Sequence, residues 1–206
     1  MSKKKNEEKN KEIDSSVTNF SKSLLLITIS LLLIGGLIVG GGAIIMNSYH
    51  DSQQKDLFLD AENYLDKAES DYYLKAELLY DDAKYYYETE QFNKVIEKCK
   101  EARDYFHDYS YEVRKSKAKL ESYKKESKLI DLYIDLHEED IKISENMYEA
   151  CEYLESTSIN YKQGDYEQGN LNLDKMNEKI RAHDDAVRRY NDIKAKLNNL
   201  FNEEYN

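Results

Sequence analysis

Two cysteines, four histidines and a surplus of carboxylates are the residues able to do chemistry in this chain of 206 residues. Cys99 and Cys151 both fall on apolar helical stripes. An even count in an exported domain could give a disulfide between them; the alternative is two buried free thiols, a role that cysteine fills well. If the chain reverses near residue 127, they lie about 28 and 24 residues from the reversal, at heights matched to within roughly 6 Å. The histidines, His50, His107, His137 and His183, are scattered. Asp104-x-x-His107 and the cluster His137-Glu138-Glu139-Asp140 come nearest to ligand sets. Di-iron bundles need Glu-x-x-His on two helices, and the sequence contains none. His137 and His183 continue the helical stripes and read as buried or boundary residues. The acidic runs include no EF-hand loop, and the chain has no Walker-type glycine loop, G-x-S-x-G elbow or H-E-x-x-H. The expectation is therefore no enzyme, no cofactor and no metal site.

Tyrosine is the other conspicuous resource: all 19 fall in residues 49–205, with clusters at Tyr72-Tyr73 and Tyr85-Tyr86-Tyr87. Consecutive helical residues point about 100° apart, so three in a row cannot share one core. Surface tyrosine suits protein and glycan interfaces. Tyr72, Tyr73, Tyr85 and Tyr87 are therefore the candidate interface, against the plainer reading of a compositional bias toward Lys, Asn, Ile and Tyr.

These residues must be carried by helices. Proline is absent, and of seven glycines only Gly164 and Gly169 lie beyond the apolar N-terminal segment. A long stretch so poor in turn residues suits helical hairpins and not sheets. Apolar residues recur at three- and four-residue steps: Ala61, Leu65, Ala68, Tyr72, Leu79, Ala83 and Tyr86, then Phe92, Val95, Ile96, Cys99, Ala102, Phe106, Tyr109 and Val113. A third stretch carries two stripes, and two stripes imply neighbours on both sides. A fourth runs from Tyr166 through Leu173, Met176, Ile180, Val187, Tyr190 and Leu197. Tyr87-Glu88-Thr89-Glu90-Gln91-Phe92 aligns with Tyr161-Lys162-Gln163-Gly164-Asp165-Tyr166, two turns 74 residues apart. The pattern predicts an all-α, elongated antiparallel bundle with helices near 52–89, 92–125, 128–162 and 166–203: four long helices, or three if the middle two are continuous.

Leu24 to Met46 is an uncharged run of 23 residues. At 1.5 Å per residue it would extend roughly 34 Å, enough for a hydrocarbon core of about 30 Å. It is too long, and too far from the N-terminus, for a cleaved signal peptide. Six lysines precede it, so the positive-inside rule places residues 1–23 in the cytoplasm as a Lys-rich tail, 24–46 across the cell membrane, and 47–206 outside. Gly36, Gly40 and Ala43 form a small-residue stripe on which two spans could pack, giving a homodimer. Residues 47–206 carry 24 basic and 37 acidic residues, a charge that disfavours nucleic acid and anionic lipid surfaces.

Leu79, Ala83, Tyr86, Phe92, Val95, Cys99 and Ala102 have a spacing that resembles the tetratricopeptide repeat, and Tyr161 to Glu167 is similar to that repeat's turn. The two matches are partial and not in tandem. The resemblance implies helical hairpins and an interaction role; the peptide groove of that family needs stacked repeats. The reading is thus a single-pass, membrane-anchored scaffold that meets lipid through 24–46 and binds a protein or envelope component outside. The alternative is an extracytoplasmic ligand-sensing bundle acting through a separate signalling partner.

Overall fold

The computed structural model describes residues 52–122 and 127–205. The span 24–46, the tail 1–23 and the stripe of Gly36, Gly40 and Ala43 lie outside the described residues, as does His50. Among the described residues, no helix is long and apolar enough to cross a membrane.

The described chain is all-helical and forms an elongated bundle of four rods. The first rod combines α1 (Ser52–Ala68), a π-helical turn (Glu69–Tyr73) and α2 (Leu74–Glu88). Helical dihedrals at Ala68, Tyr73 and Leu74 keep it unbroken across the π turn. The remaining rods are α3 (Phe92–Glu121), α4 (Lys128–Gln163) and α5 (Tyr166–Tyr205). The first rod packs on α3, α3 on α4, and α4 on α5. The middle two helices are thus separate antiparallel neighbours and not one continuous rod.

Both sharp turns are built alike. In the first, Gln91 N–H donates to Tyr86 C=O and Glu90 N–H to Tyr87 C=O; in the second, Asp165 N–H donates to Asn160 C=O and Gly164 N–H to Tyr161 C=O. This crossed pair of bonds is the Schellman closure, which needs a left-handed residue just past the helix end. Gly164 supplies it at φ 80°, and Glu90 does so at φ 56° without glycine's freedom. Ser127 and Asp165 then cap α4 and α5, their side chains accepting from Ile130 N–H and Gln168 N–H. The two turns meet at one end of the bundle: Tyr87 stacks on Tyr161 with ring centroids 6.2 Å apart, Phe92 lies 6.0 Å from Tyr161, and Lys162 Nζ donates to Asn93 Oδ1 at 2.7 Å. Ser52, the last turn of α3 and the first turn of α4 are therefore at the opposite end.

Inward residues keep a three-four spacing on every rod. On α3 they are Val95, Cys99, Ala102, Phe106, Tyr109, Val113, Ser116 and Leu120. On α4, flanked on both sides, Ile130, Tyr133, His137, Asp140, Ser144, Met147, Cys151 and Leu154 are joined by Leu129, Leu136, Ile143, Ala150 and Thr157 at seven-residue steps. The first rod departs once. Ala61 and Ala68 face inward, but the next inward residue is Tyr73, followed by Ala76, Tyr80, Ala83 and Tyr87. The step of five from Ala68 to Tyr73 is the extra residue of the π turn. It moves the buried face by one position, so Tyr72, Leu79 and Tyr86, expected on the core stripe, are only partly buried.

Candidate functional site

Two features stand out from ordinary bundle packing: a polar layer in the core and an apolar row on the outside. The polar layer sits at the π turn. Asp140, at a core position of α4, is almost wholly buried and accepts a hydrogen bond from Tyr109 of α3. Tyr73 lies against Tyr109 at 4.9 Å between centroids and against Phe106 at 5.8 Å. Tyr190 and Lys194 of α5 and Glu69 of the π turn complete the surroundings. Burial pushes the Asp140 carboxyl up to about 7, assisted by Glu69, while the Tyr109 hydrogen bond and Lys194 pull the other way. Burial also lowers the Lys194 ammonium and raises the Glu69 carboxyl. Charge removed from water without full pairing is shifted toward its neutral form in this manner.

One turn away, Ser116 Oγ and His137 Nε2 are 2.8 Å apart, with His137 Nδ1 2.7 Å from the Tyr133 carbonyl and Ser116 Oγ 3.0 Å from that of Ala61. The contact looks like a nucleophile and its base, yet its geometry serves packing. Both residues are wholly buried, and Nδ1 faces a backbone carbonyl where a catalytic base would be oriented by a carboxylate. With Nδ1–H donating to Tyr133, the single Ser116 hydrogen serves one acceptor at a time, His137 Nε2 or the Ala61 carbonyl, and these contacts hold the first rod, α3 and α4 together. Burial lowers His137 to about 4, keeping it neutral. Polar groups at core positions of this sort fix register between helices. The same α3–α4 register is marked at the surface by Arg103, which donates to Glu155 at 2.9 Å and to Tyr148 at 3.0 Å. Lys117 donates to Glu138 at 2.8 Å. Between α4 and α5, Arg189 donates to the buried Glu139 at 2.8 Å.

The outer row is on α2. Leu74, Leu78 and Tyr85 are 47%, 68% and 60% exposed, and at about 100° per residue they fall within a 40° sector of the helix. Single exposed leucines are ordinary, whereas a row of large apolar side chains along one face is a mark of contact surfaces. The row runs for about 16 Å. Exposed Asp81 and Asp82 sit between Leu78 and Tyr85, with Glu77 and Glu88 alongside. The Glu77 carboxyl is raised to about 7, by burial first and the neighbouring Asp81 second.

Among the tyrosines expected at an interface, Tyr85 is exposed and Tyr72 partly buried. Tyr73 and Tyr87 are buried, which corrects their assignment: the π turn rotates both into the core, where Tyr73 meets α3 and Tyr87 meets Phe92 and Tyr161. Cys99 and Cys151 are both buried free thiols. Among the described residues no group of three or more His, Cys, Asp or Glu side chains is arranged to hold a metal ion. His107 is exposed beside Asp108, and His183 is buried with Nδ1 3.1 Å from Asp184 Oδ1. A recess of about 350 Å³ opens at the first turn, lined by Glu90, Gln91, Phe92, Asn93, Lys94 and Lys162; all but Phe92 are exposed surface residues. The sequence reading missed Leu74 and Leu78. Their signal was available, since both are large apolar residues off the stripe that supplies the core.

No protein-family model matches the chain, and neither curated proteins nor solved structures yield a match. The likeness to tetratricopeptide hairpins therefore rests on its own residues alone.

Proposed function

We propose that the chain is a membrane-tethered docking protein, anchored by residues 24–46, that presents its helical bundle outside the cell membrane and engages a partner protein along α2. The observation that carries this reading is the exposed row of Leu74, Leu78 and Tyr85 among carboxylates. A surface of this kind fits a partner with an apolar ridge rimmed by Lys or Arg. The apolar row supplies the area removed from water and the carboxylates supply orientation and partner choice. The acidic balance of residues 47–206 disfavours anionic lipid as the occupant.

The test uses the full-length chain in intact membranes, comparing wild type with Leu78→Glu after covalent capture of neighbours. Partners that cross-link to wild type should be lost from the variant, whose exposed substitution leaves the core untouched. An identical set of partners from both would overturn docking through α2. Protease added outside intact cells should digest residues 47–206; full protection would place the bundle on the wrong side for this reading.

The second reading is a ligand-sensing bundle, favoured by the layer of buried Asp140 and partly buried Glu69 and Lys194 at the π turn. Single π turns inside α-helices recur at functional sites, and near-neutral buried carboxylates are responsive groups. That reading requires a small molecule that raises the thermal stability of the purified chain.

A further inference from the structure

We infer that Cys99 and Cys151 form a covalent staple between α3 and α4, a disulfide closed by an external disulfide-bearing oxidant during folding. The inference stands apart from the docking reading, since it concerns the core and not α2.

Register carries the argument. Arg103 of α3 bonds Tyr148 of α4. One turn further along α3 in the direction of the first sharp turn is Cys99, and one turn further along α4 in the same spatial direction is Cys151. The deeper contact of Tyr109 with Asp140 gives the same alignment, with Cys99 and Cys151 ten and eleven residues beyond it. Both cysteines occupy inward positions of the three-four spacing and are completely buried. The Cys99 thiol is near enough to Cys151 to help raise it. A disulfide needs facing Cβ atoms on backbones about 4.4–6.8 Å apart at Cα, and small residues at a helix–helix contact permit such an approach. The neighbours here are small: Ala102 on α3 and Ala150 on α4, both without exposed surface.

The chemistry is thiol–disulfide exchange. The thiolate of one cysteine attacks the donor's disulfide, forming a mixed disulfide and releasing one donor thiolate. The thiolate of the second cysteine then attacks the protein sulfur of that mixed disulfide, closing the Cys99–Cys151 bond and expelling the other donor sulfur. Two protein thiols are oxidised, the donor's disulfide is reduced to two thiols, and the two cysteine protons end on the donor sulfurs. Burial pushes the Cys151 thiol well above its ordinary range, which starves the finished bundle of thiolate. Closure therefore belongs to the stage before α3 and α4 fully seal, and the same burial afterwards shields the bond from reductants.

The full-length chain in detergent micelles is unfolded in denaturant with reductant, then refolded with a mixture of reduced and oxidised glutathione. The expected product is lighter by two hydrogens, yields one cross-linked peptide joining Cys99 to Cys151, and unfolds at a higher urea concentration than the chain refolded with reductant alone. Cys99→Ser/Cys151→Ser should recover the same helix content and show no oxidant-dependent shift, separating loss of the bond from loss of the fold. A helical refolded product that retains two free thiols, or carries glutathione on either cysteine in place of the intramolecular link, would overturn the inference.

Discussion

Asp140→Asn should alter how the stability of the bundle depends on pH, with a sign and size set by the core. The Asp140 carboxyl is lifted from 3.8 to about 7 by burial. A carboxyl whose folded value is raised stabilises the fold when protonated; its contribution is complete below the unfolded value and is lost as pH rises through about 7. At about 1.4 kcal/mol per tenfold change in proton affinity the full effect is at most roughly 4 kcal/mol, of which about 2–3 kcal/mol is gained on going from pH 8 to pH 5. His137 acts in the opposite sense. It is lowered from 6.5 to about 4, so the unfolded chain takes up the proton first and stability falls as pH drops from 6.5 toward 4. Over the same interval from pH 8 to pH 5 this costs roughly 2 kcal/mol. These two effects nearly cancel, which leaves the slope of the wild-type profile to the other shifted groups, Glu77 and Glu69, whose raised carboxyls favour acid. Asparagine preserves the size of the neutral acid and can accept from Tyr109, but it cannot titrate. Urea unfolding of the full-length chain in micelles, followed by far-UV circular dichroism, gives both profiles. The gap between wild type and Asp140→Asn should widen by about 2–3 kcal/mol in favour of wild type on acidification from pH 8 to pH 5. The contributions of Glu69 and Glu77 are common to both chains and drop out of that difference. Parallel profiles would refute the reasoning, because a buried, desolvated carboxyl cannot leave them parallel.

Other outcomes follow from single contacts. Glu90→Gly should stabilise the bundle by about 0.5–1 kcal/mol by relieving a left-handed non-glycine residue, while Gly164→Ala should destabilise it by a similar amount, both read as shifts in urea midpoint. Phe106→Ala should cost about 3–5 kcal/mol, since the ring is buried between α3 and Tyr73 and its loss leaves a cavity. Arg103→Ala should cost about 2–3 kcal/mol by leaving the buried Glu155 with only the more distant Lys100. Leu78→Ser should leave the unfolding midpoint within about 0.5 kcal/mol of wild type, as an exposed side chain with no core role should.

The helical class was legible because two independent signals agreed: no proline, and apolar steps of three and four. The α3 stripe from Val95 to Val113 reads directly, as its spacing is unbroken. The turns were legible as a repeated string, and the structure gives the reason: Glu90 and Gly164 occupy the same left-handed position in the same closure. The π turn was not read, although its trace is present in the five-residue step from Ala68 to Tyr73. A regular periodicity carried across that step puts Tyr72 inside and Tyr73 outside, and the assignment of Tyr73 and Tyr87 to a surface follows from that one slip. The polar layer was invisible for a different reason. Asp140, Ser116, His137 and Lys194 sit at core-spaced positions, but only the packing of separate rods brings them together, and local spacing cannot say which polar residues will meet. Leu74 and Leu78 carry a weaker signal than the tyrosine clusters, being single leucines out of phase with the core stripe.

A photoreactive residue placed at Leu78 in the full-length, membrane-embedded chain tests the docking claim most directly, with the same residue at Glu152 on the exposed side of α4 as control. The account predicts discrete protein adducts from position 78 that are absent from position 152 and are diminished when Leu74 and Tyr85 are both replaced by serine. Adducts equal at the two positions, or none at position 78, would contradict it.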